Sequence, residues 1–261
     1  MTARTILITG ANKSIGYETA RQLGHFGHRI WLGCRDAGRG GAAVDRLVAD
    51  GLDVRLLAID VTSDASVRDA AARVRAEDGA LDILINNAGI AGGLIDDAGI
   101  AGGLVDDARR AGGAPTVPSR QPIDDIRAVY DTNVFGPIRV TQAFLPLLQA
   151  ATAASVVMVS SGLGSLGWLS DPANPFYAIN HLGYNSSKSA LNAVMLAFAK
   201  EFADAAIRVN AVDPGYTATD FNGHSGYRTV EQAAAGIVWL ATQPADGPTG
   251  GFFFDRTPVP W

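Results

Sequence analysis

"TILITGANKSIGYETARQL", residues 5–23, joins a short apolar run to an amphipathic one through a turn that holds Gly10 and Gly16. The run 5–9 is nearly apolar on both faces, as a buried parallel strand is expected to be. From Ser14 to Phe26 the apolar positions recur at helical spacing. At such a strand–helix turn, small residues let a phosphate approach the backbone, and the helix start offers free N–H groups. Tight turns use glycine in any case. The turn alone therefore leaves nucleotide binding and plain turn chemistry both open.

The same alternation continues outward. Residues 29–33, 53–59, 82–86, 155–160, 207–212 and 251–254 read as further strands, and 41–49, 64–77, 123–148, 181–203 and 230–241 as further helices. Strand–helix alternation predicts the α/β class: a doubly wound parallel sheet (Rossmann fold) of about seven strands with helices on both faces. No composition break divides the chain, so residues 1–261 read as a single domain. In such folds ligands bind beyond the carboxyl ends of the strands.

Composition narrows the function classes. The chain is 48% hydrophobic and 18% charged, which excludes disorder. Its net charge of −5 comes from interspersed signs without a basic stripe, which argues against nucleic acid. No run of about 18 apolar residues occurs, so no membrane span is expected. Cys34 is the only cysteine and suits a reducing compartment. The start of the chain runs directly into the first strand, so the expected place is the cytoplasm. The paired aspartates 96–97 and 106–107 lack the alternate-residue spacing of a calcium loop, and no metal site is expected.

A second motif, "YNSSK" at residues 184–188, places Tyr184 and Lys188 on one helix face. A cation near a phenol favours its ionised form, which would bring Tyr184 toward the working range of a general acid–base. Tyr-xxx-Lys is also common on solvated helix faces. Lysine is scarce here, however: only Lys13, Lys188 and Lys200 occur, and two of the three fall in candidate motifs.

Six motifs follow one another in the chain: "TGANKSIG" (9–16), "NNAG" (86–89), "DTNVFG" (131–136), "VMVSSGLG" (157–164), "YNSSK" and "DPGYTATD" (213–220). Together and in this order they resemble the short-chain dehydrogenase/reductase family, over nearly the whole chain and nearest its carbonyl reductase-like branch. The resemblance implies a catalytic set of Asn133, Ser161, Tyr184 and Lys188. Tyr184 would protonate the carbonyl oxygen as hydride arrives. Lys188 would hold the nicotinamide ribose and depress the Tyr184 pKa, Ser161 would orient the carbonyl, and Asn133 would position a water. Ser160, beside Ser161, is the residue with which it is most easily confused.

The resemblance also implies which residues meet the cofactor. These are Gly10, Asn12, Lys13, Ser14, Ile15 and Gly16 in the first turn, then Arg35, Asp60 and Val61. Asn87, Ala88 and Gly89 follow, with Tyr184 and Lys188, and finally Pro214, Gly215, Thr217 and Thr219. A carboxylate at the end of strand two would bond the ribose 2′-OH and repel a 2′-phosphate. Cys34 stands there, followed by Arg35, and with Lys13 this favours NADPH over NADH. Asp36 is the counter-indication, unless it pairs with Arg35 or caps the next helix. Ser14 replaces the family's middle glycine, which predicts weakened or unchanged cofactor binding.

Two stretches exceed the family pattern. One lies near residues 164–180, where an aromatic, proline-rich segment separates Ser161 from Tyr184 and suits an apolar substrate or packs on itself. The other lies near 89–118, where residues 89–98 and 99–108 form a tandem repeat that differs only at Ile95 against Val105. Its many glycines and its place after strand four predict a mobile flap beside the site, with helical character around 95–110. The expected activity is NADPH-dependent reduction of a ketone or aldehyde, the partner being a small carbonyl or alcohol substrate. The alternatives are alcohol oxidation with NADP and a nucleotide-sensing regulator without turnover. Monomer and homo-oligomer both stay open.

Overall fold

Thr5–Ile8 (β1) pairs in parallel with Arg29–Cys34 (β2) on one side and Ile83–Asn86 (β4) on the other, so the chain changes direction across the sheet beside its first strand. The computed structural model describes residues 3–92 and 117–261. The remaining strands are Val54–Ala58 (β3), Ala154–Val159 (β5), Ile207–Asp213 (β6), Phe252–Phe254 (β7) and Thr257–Pro258 (β8). Their order is β3-β2-β1-β4-β5-β6-β7-β8, parallel throughout except for β8.

Alternate strand residues feed two cores. Leu7, Leu84, Val156 and Met158 face Asp64–Asp78 (α3), Gly136–Ala150 (α5) and Leu182–Glu201 (α7). Ile6, Ile8, Ile83, Ile85, Val157 and Val159 face Ser14–His25 (α1), Ala37–Ala49 (α2) and Val230–Ala241 (α8). Strands buried on both faces need apolar residues at nearly every position, as the sequence pattern anticipated. Among the described residues no helix is long and apolar enough to cross a membrane.

Three differences from expectation have physical causes. The eighth strand is added by a tight turn in which Asp255 and Arg256 both take positive φ, 43° and 69°. Such two-residue turns usually advertise themselves with Gly or Asn, and "DR" carries neither. The helix expected over 123–148 is a rod in three parts: Ile123–Tyr130 (α4), a π-helical turn Asp131–Phe135, and α5. Residues 164–180 fold into Leu166–Ser170 (α6) and a 3-10 turn Pro175–Ala178. Trp168 and Phe176 pack there with centroids 5.5 Å apart, and Ser165 Oγ donates to the Pro260 carbonyl at 2.6 Å, tying the segment to the C-terminal tail. The repeat copy at 99–108 and the helix expected around 95–110 lie outside the described residues.

Candidate active site

Strand β5 ends in two serines with different surroundings. Ser160 is buried, and its hydroxyl donates to Asn192 Oδ1 at 2.7 Å, which commits it to the packing of α7. Ser161 begins the short turn Gly162–Gly164, where its Oγ accepts from Leu163 N–H at 3.2 Å. The Ser161 hydroxyl also bears on the Tyr184 phenol. Of the two, Ser161 is the serine that faces Tyr184, and it also caps the turn that follows it.

Tyr184 and Lys188 project from one face of α7, and both are buried. Burial pushes the Tyr184 phenol well above its ordinary value, with the Ser161 hydroxyl pulling in the other direction. Lys188 Nζ donates to the Val159 carbonyl at 2.8 Å and sits 5.7 Å from the Tyr184 ring centroid. Burial brings the ammonium down to about 8, while the Asp213 carboxyl pulls it up. The expected depression of Tyr184 by Lys188 does not emerge: burial dominates, Asp213 adds to it, and the Ser161 hydroxyl is the group that opposes them.

Asn133 lies in the π-helical turn, a feature often found at functional sites. Its Oδ1 accepts from Ile90 N–H at 2.8 Å, and its Nδ2 donates to the Ile90 carbonyl at 2.9 Å and to Ser187 Oγ at 3.1 Å. Ser187 Oγ in turn donates to the Tyr184 carbonyl at 2.7 Å. Both amide hydrogens are spent on protein, so in this structure the side chain is a staple between the exit of β4 and α7. A Cβ on Gly89 would stand 3.4 Å from Asn133 Oδ1 and 3.6 Å from Lys188 Nζ. The glycine of "NNAG" therefore lies directly against Asn133 and Lys188.

The first turn has the shape a dinucleotide requires. A Cβ on Gly16 would fall 2.6 Å from Asn87 Nδ2 and 2.8 Å from the Gly10 carbonyl, and Gly10 takes φ +65°. Asn87 Nδ2 donates to the Thr9 and Gly10 carbonyls at 2.9 and 3.1 Å, joining "NNAG" to the turn. Thr9 Oγ1 accepts from the N–H groups of Asn87 and Ala88 at 3.0 and 3.1 Å, a role sequence reasoning missed. Asn12 and Ile15 are half-buried along the turn. No side chain caps α1, whereas Asp36, Ser63 and Thr229 cap α2, α3 and α8. A turn kept open by Gly10 and Gly16 before uncapped N–H groups fits the pyrophosphate of a nicotinamide dinucleotide. Ser14 takes φ +52°, a backbone conformation that favours the glycine the family pattern implies there.

Farther along the groove, Asp60 Oδ1 accepts from Thr62 N–H at 3.0 Å and Thr62 Oγ1 at 2.7 Å. Burial opposes its charge, but these bonds and the cations Arg35 and Arg139 hold the carboxyl below its ordinary value. Val61 is buried beside Gly136. Arg35 is exposed and makes no ion pair among the described residues. Asp36 accepts from Arg39 N–H at 2.8 Å and pairs with the Arg39 guanidinium at 3.3 Å, so it caps α2. The carboxylate that counted against NADPH is thereby occupied. Lys13, by contrast, is paired: its Nζ lies 2.9 Å from Asp220 Oδ2.

The segment after β6 closes the site. Gly215 takes φ +74°, and Thr217 Oγ1 donates to the Pro214 and Gly215 carbonyls at 3.3 and 3.0 Å. Thr219 caps the turn Asp220–Asn222, and Phe221 packs on the Tyr184 ring at 5.9 Å. Sequence reasoning quoted Asp213 in its motif without giving it a role. It is a buried carboxyl whose Oδ1 accepts from Gly215 N–H at 2.8 Å, and burial drives its pKa upward. Asp213 joins Trp168, Asn174, Pro175, Phe176, Tyr227 and Phe254 around a mainly apolar cleft of about 130 Å³. That cleft adjoins Ser161 through Gly162, where a Cβ would meet Phe176, Trp168 and Asp213 within 2.9 Å.

Residues 4–228 match the family model of the short chain dehydrogenases. The chain is 35% identical to (+)-neomenthol dehydrogenase of Arabidopsis thaliana, covering 99% of this chain and 98% of that protein. It is 34% identical to (−)-isopiperitenone reductase of Mentha piperita, covering 96% of each. NADPH-bound carbonyl reductase from chicken fatty liver superposes with a TM-score of 0.82 at 25% identity, over the full length of both chains.

Proposed function

The chain belongs to the short-chain dehydrogenase family, and on that premise we propose that it reduces a ketone or aldehyde to an alcohol with NADPH, Tyr184 acting as general acid. One observation carries the reading: Ser161, Tyr184, Lys188 and Asn133 converge at the carboxyl ends of β4 and β5, beside the glycine cradle of the first turn. When bound, the cofactor supplies the hydride.

The protein's own residues do the rest. Gly10, Gly16 and the start of α1 take the pyrophosphate, and Lys188, whose ammonium lies beside Gly89, holds the ribose. Ser161 holds the carbonyl oxygen against the Tyr184 hydroxyl. Desolvation keeps that phenol protonated, so it delivers its proton only as negative charge develops on the oxygen. The cleft of Trp168, Phe176, Tyr227 and Phe254 receives the apolar remainder of the substrate. NADPH is preferred because Cys34 offers no charge to the adenosine ribose, Arg35 is exposed, and Asp36 is engaged by α2.

A panel of ketones and aldehydes followed by NADPH absorbance tests the reading, with NADH run in parallel. The Tyr184→Phe variant is expected to lose at least about 100-fold in kcat, the usual scale of general acid catalysis. Unchanged turnover in that variant sinks the mechanism. Nucleotide binding without turnover on any carbonyl returns the protein to a sensing role.

A further inference from the structure

One ion pair ties the nucleotide turn to the segment that covers the catalytic tyrosine. Lys13 Nζ lies 2.9 Å from Asp220 Oδ2, and His224 Nε2 lies 3.0 Å from the other carboxylate oxygen. Asp220 follows Thr219, which caps its short turn, and precedes Phe221, which packs on Tyr184 at 5.9 Å. One end of the pair is therefore the cation expected at a 2′-phosphate, and the other end is a wall of the active site.

Resting on the reading of the protein as an NADPH enzyme, we infer that Asp220 is a cofactor-specificity residue whose carboxylate competes with the 2′-phosphate for Lys13. A dinucleotide with that phosphate takes Lys13 from Asp220 and frees the 219–224 segment above Tyr184. A dinucleotide without it brings no rival to this place, and the pair persists. Asp220 thus blunts the preference for NADPH while coupling the adenosine end of the cofactor to the catalytic end. Arg35 has no comparable partner among the described residues, so the competition falls on Lys13. The Lys13 and Asp220 side chains are 57% and 48% exposed, which limits the effect to a few-fold.

The test measures binding of adenosine 2′,5′-bisphosphate and of 5′-AMP by titration calorimetry, so that no turnover is required. Wild type, Asp220→Asn, Lys13→Met and the double variant are compared. Asp220→Asn is expected to tighten the bisphosphate about two- to five-fold, matching an exposed ion pair, and to leave 5′-AMP unchanged. The gain is expected to vanish in the Lys13→Met background. Equal tightening of both ligands, or the same gain without Lys13, overturns the inference and reduces Asp220 to a general negative charge. No gain in the single variant overturns it as well. Wild type that binds neither ligand refutes the nucleotide reading itself, a result distinct from all of these.

Discussion

Ser14 sits where the backbone turns left-handed into α1, at φ +52°. An L residue there costs about 1–2 kcal/mol through its Cβ, and Asn or Asp would tolerate it better than most. Glycine removes that cost and adds back roughly 0.5–1 kcal/mol of chain entropy on folding. Ser14→Gly is therefore expected to stabilise by up to about 1 kcal/mol and to raise Tm by about 2–4 °C, read by thermal denaturation. A fall in Tm shows that the serine hydroxyl earns its place. Lys188 permits a second prediction at this scale. Its ammonium is lowered by burial to about 8, so kcat/KM for reduction is expected to fall as pH rises through 8. Stability moves the other way. The unfolded lysine keeps its proton to an ordinary 10.5, so between 8 and 10.5 the unfolded chain binds more protons and the share of Lys188 in stability rises with pH. A flat rate profile from pH 7 to 9.5 contradicts the assignment. So does a Lys188→Met variant whose pH–stability curve matches wild type.

At the scale of elements, the π-helical turn between α4 and α5 decides where Asn133 points. Its side chain makes three bonds that join β4 to α7: two to the Ile90 backbone and one to Ser187. Asn133→Ala leaves the Ile90 N–H and carbonyl to find other partners, at a cost of about 1–3 kcal/mol for each that stays buried and unpaired, while the Ser187 hydroxyl keeps its bond to the Tyr184 carbonyl. Lower Tm is expected together with loss of turnover, because Gly89 and Lys188 are held in register by the same staple. Asn133→Asp keeps the bond to Ile90 N–H but sets a buried carboxylate oxygen against the Ile90 carbonyl where Nδ2 donated, and is expected to recover none of the stability. Full activity in Asn133→Ala refutes the staple. "DTNVFG" marked Asn133 by family order, but nothing in it announced the π-helical geometry, since its apolar spacing suits an ordinary helix. The aromatic segment at 164–180 was visible as an excess of ring residues. Its anchoring on Pro260 and Trp261 was not, because contacts across about ninety residues leave no local pattern.

The whole molecule was legible where one rule acts at every residue. Strands such as Ile83–Asn86 and Ala154–Val159 are buried on both faces and must read as apolar runs, so the parallel sheet and its helices could be placed from pattern alone. The four candidate residues named by the family resemblance come together for a related reason: the topology brings the exits of β4 and β5 to α7. Partnerships such as Lys13 with Asp220, or Asp213 with Gly215 beneath the cleft, depend on loop geometry that no periodicity encodes. The tandem repeat belongs to this scale, and its flanks support a prediction. On one side Ile90 is stapled to Asn133, and Gly92 packs on Val129 of α4. On the other, Gln121 Oε1 accepts from Gly183 N–H at 3.0 Å, just before α4 begins. Residues 93–116 lie between these two anchors. Removing 99–108 leaves fourteen of those residues to span the gap, a reach on the order of 45 Å when extended. The shorter closure changes the loop entropy by only about 0.5 kcal/mol, in favour of folding. The deletion variant is expected to keep Tm within about 2 °C of wild type, on the scale that so small an energy allows. Its affinity for adenosine 2′,5′-bisphosphate is expected to be unchanged. A drop beyond 5 °C, as an order-of-magnitude threshold for about 2 kcal/mol, shows that the repeat packs into the fold and that the two anchors do not suffice.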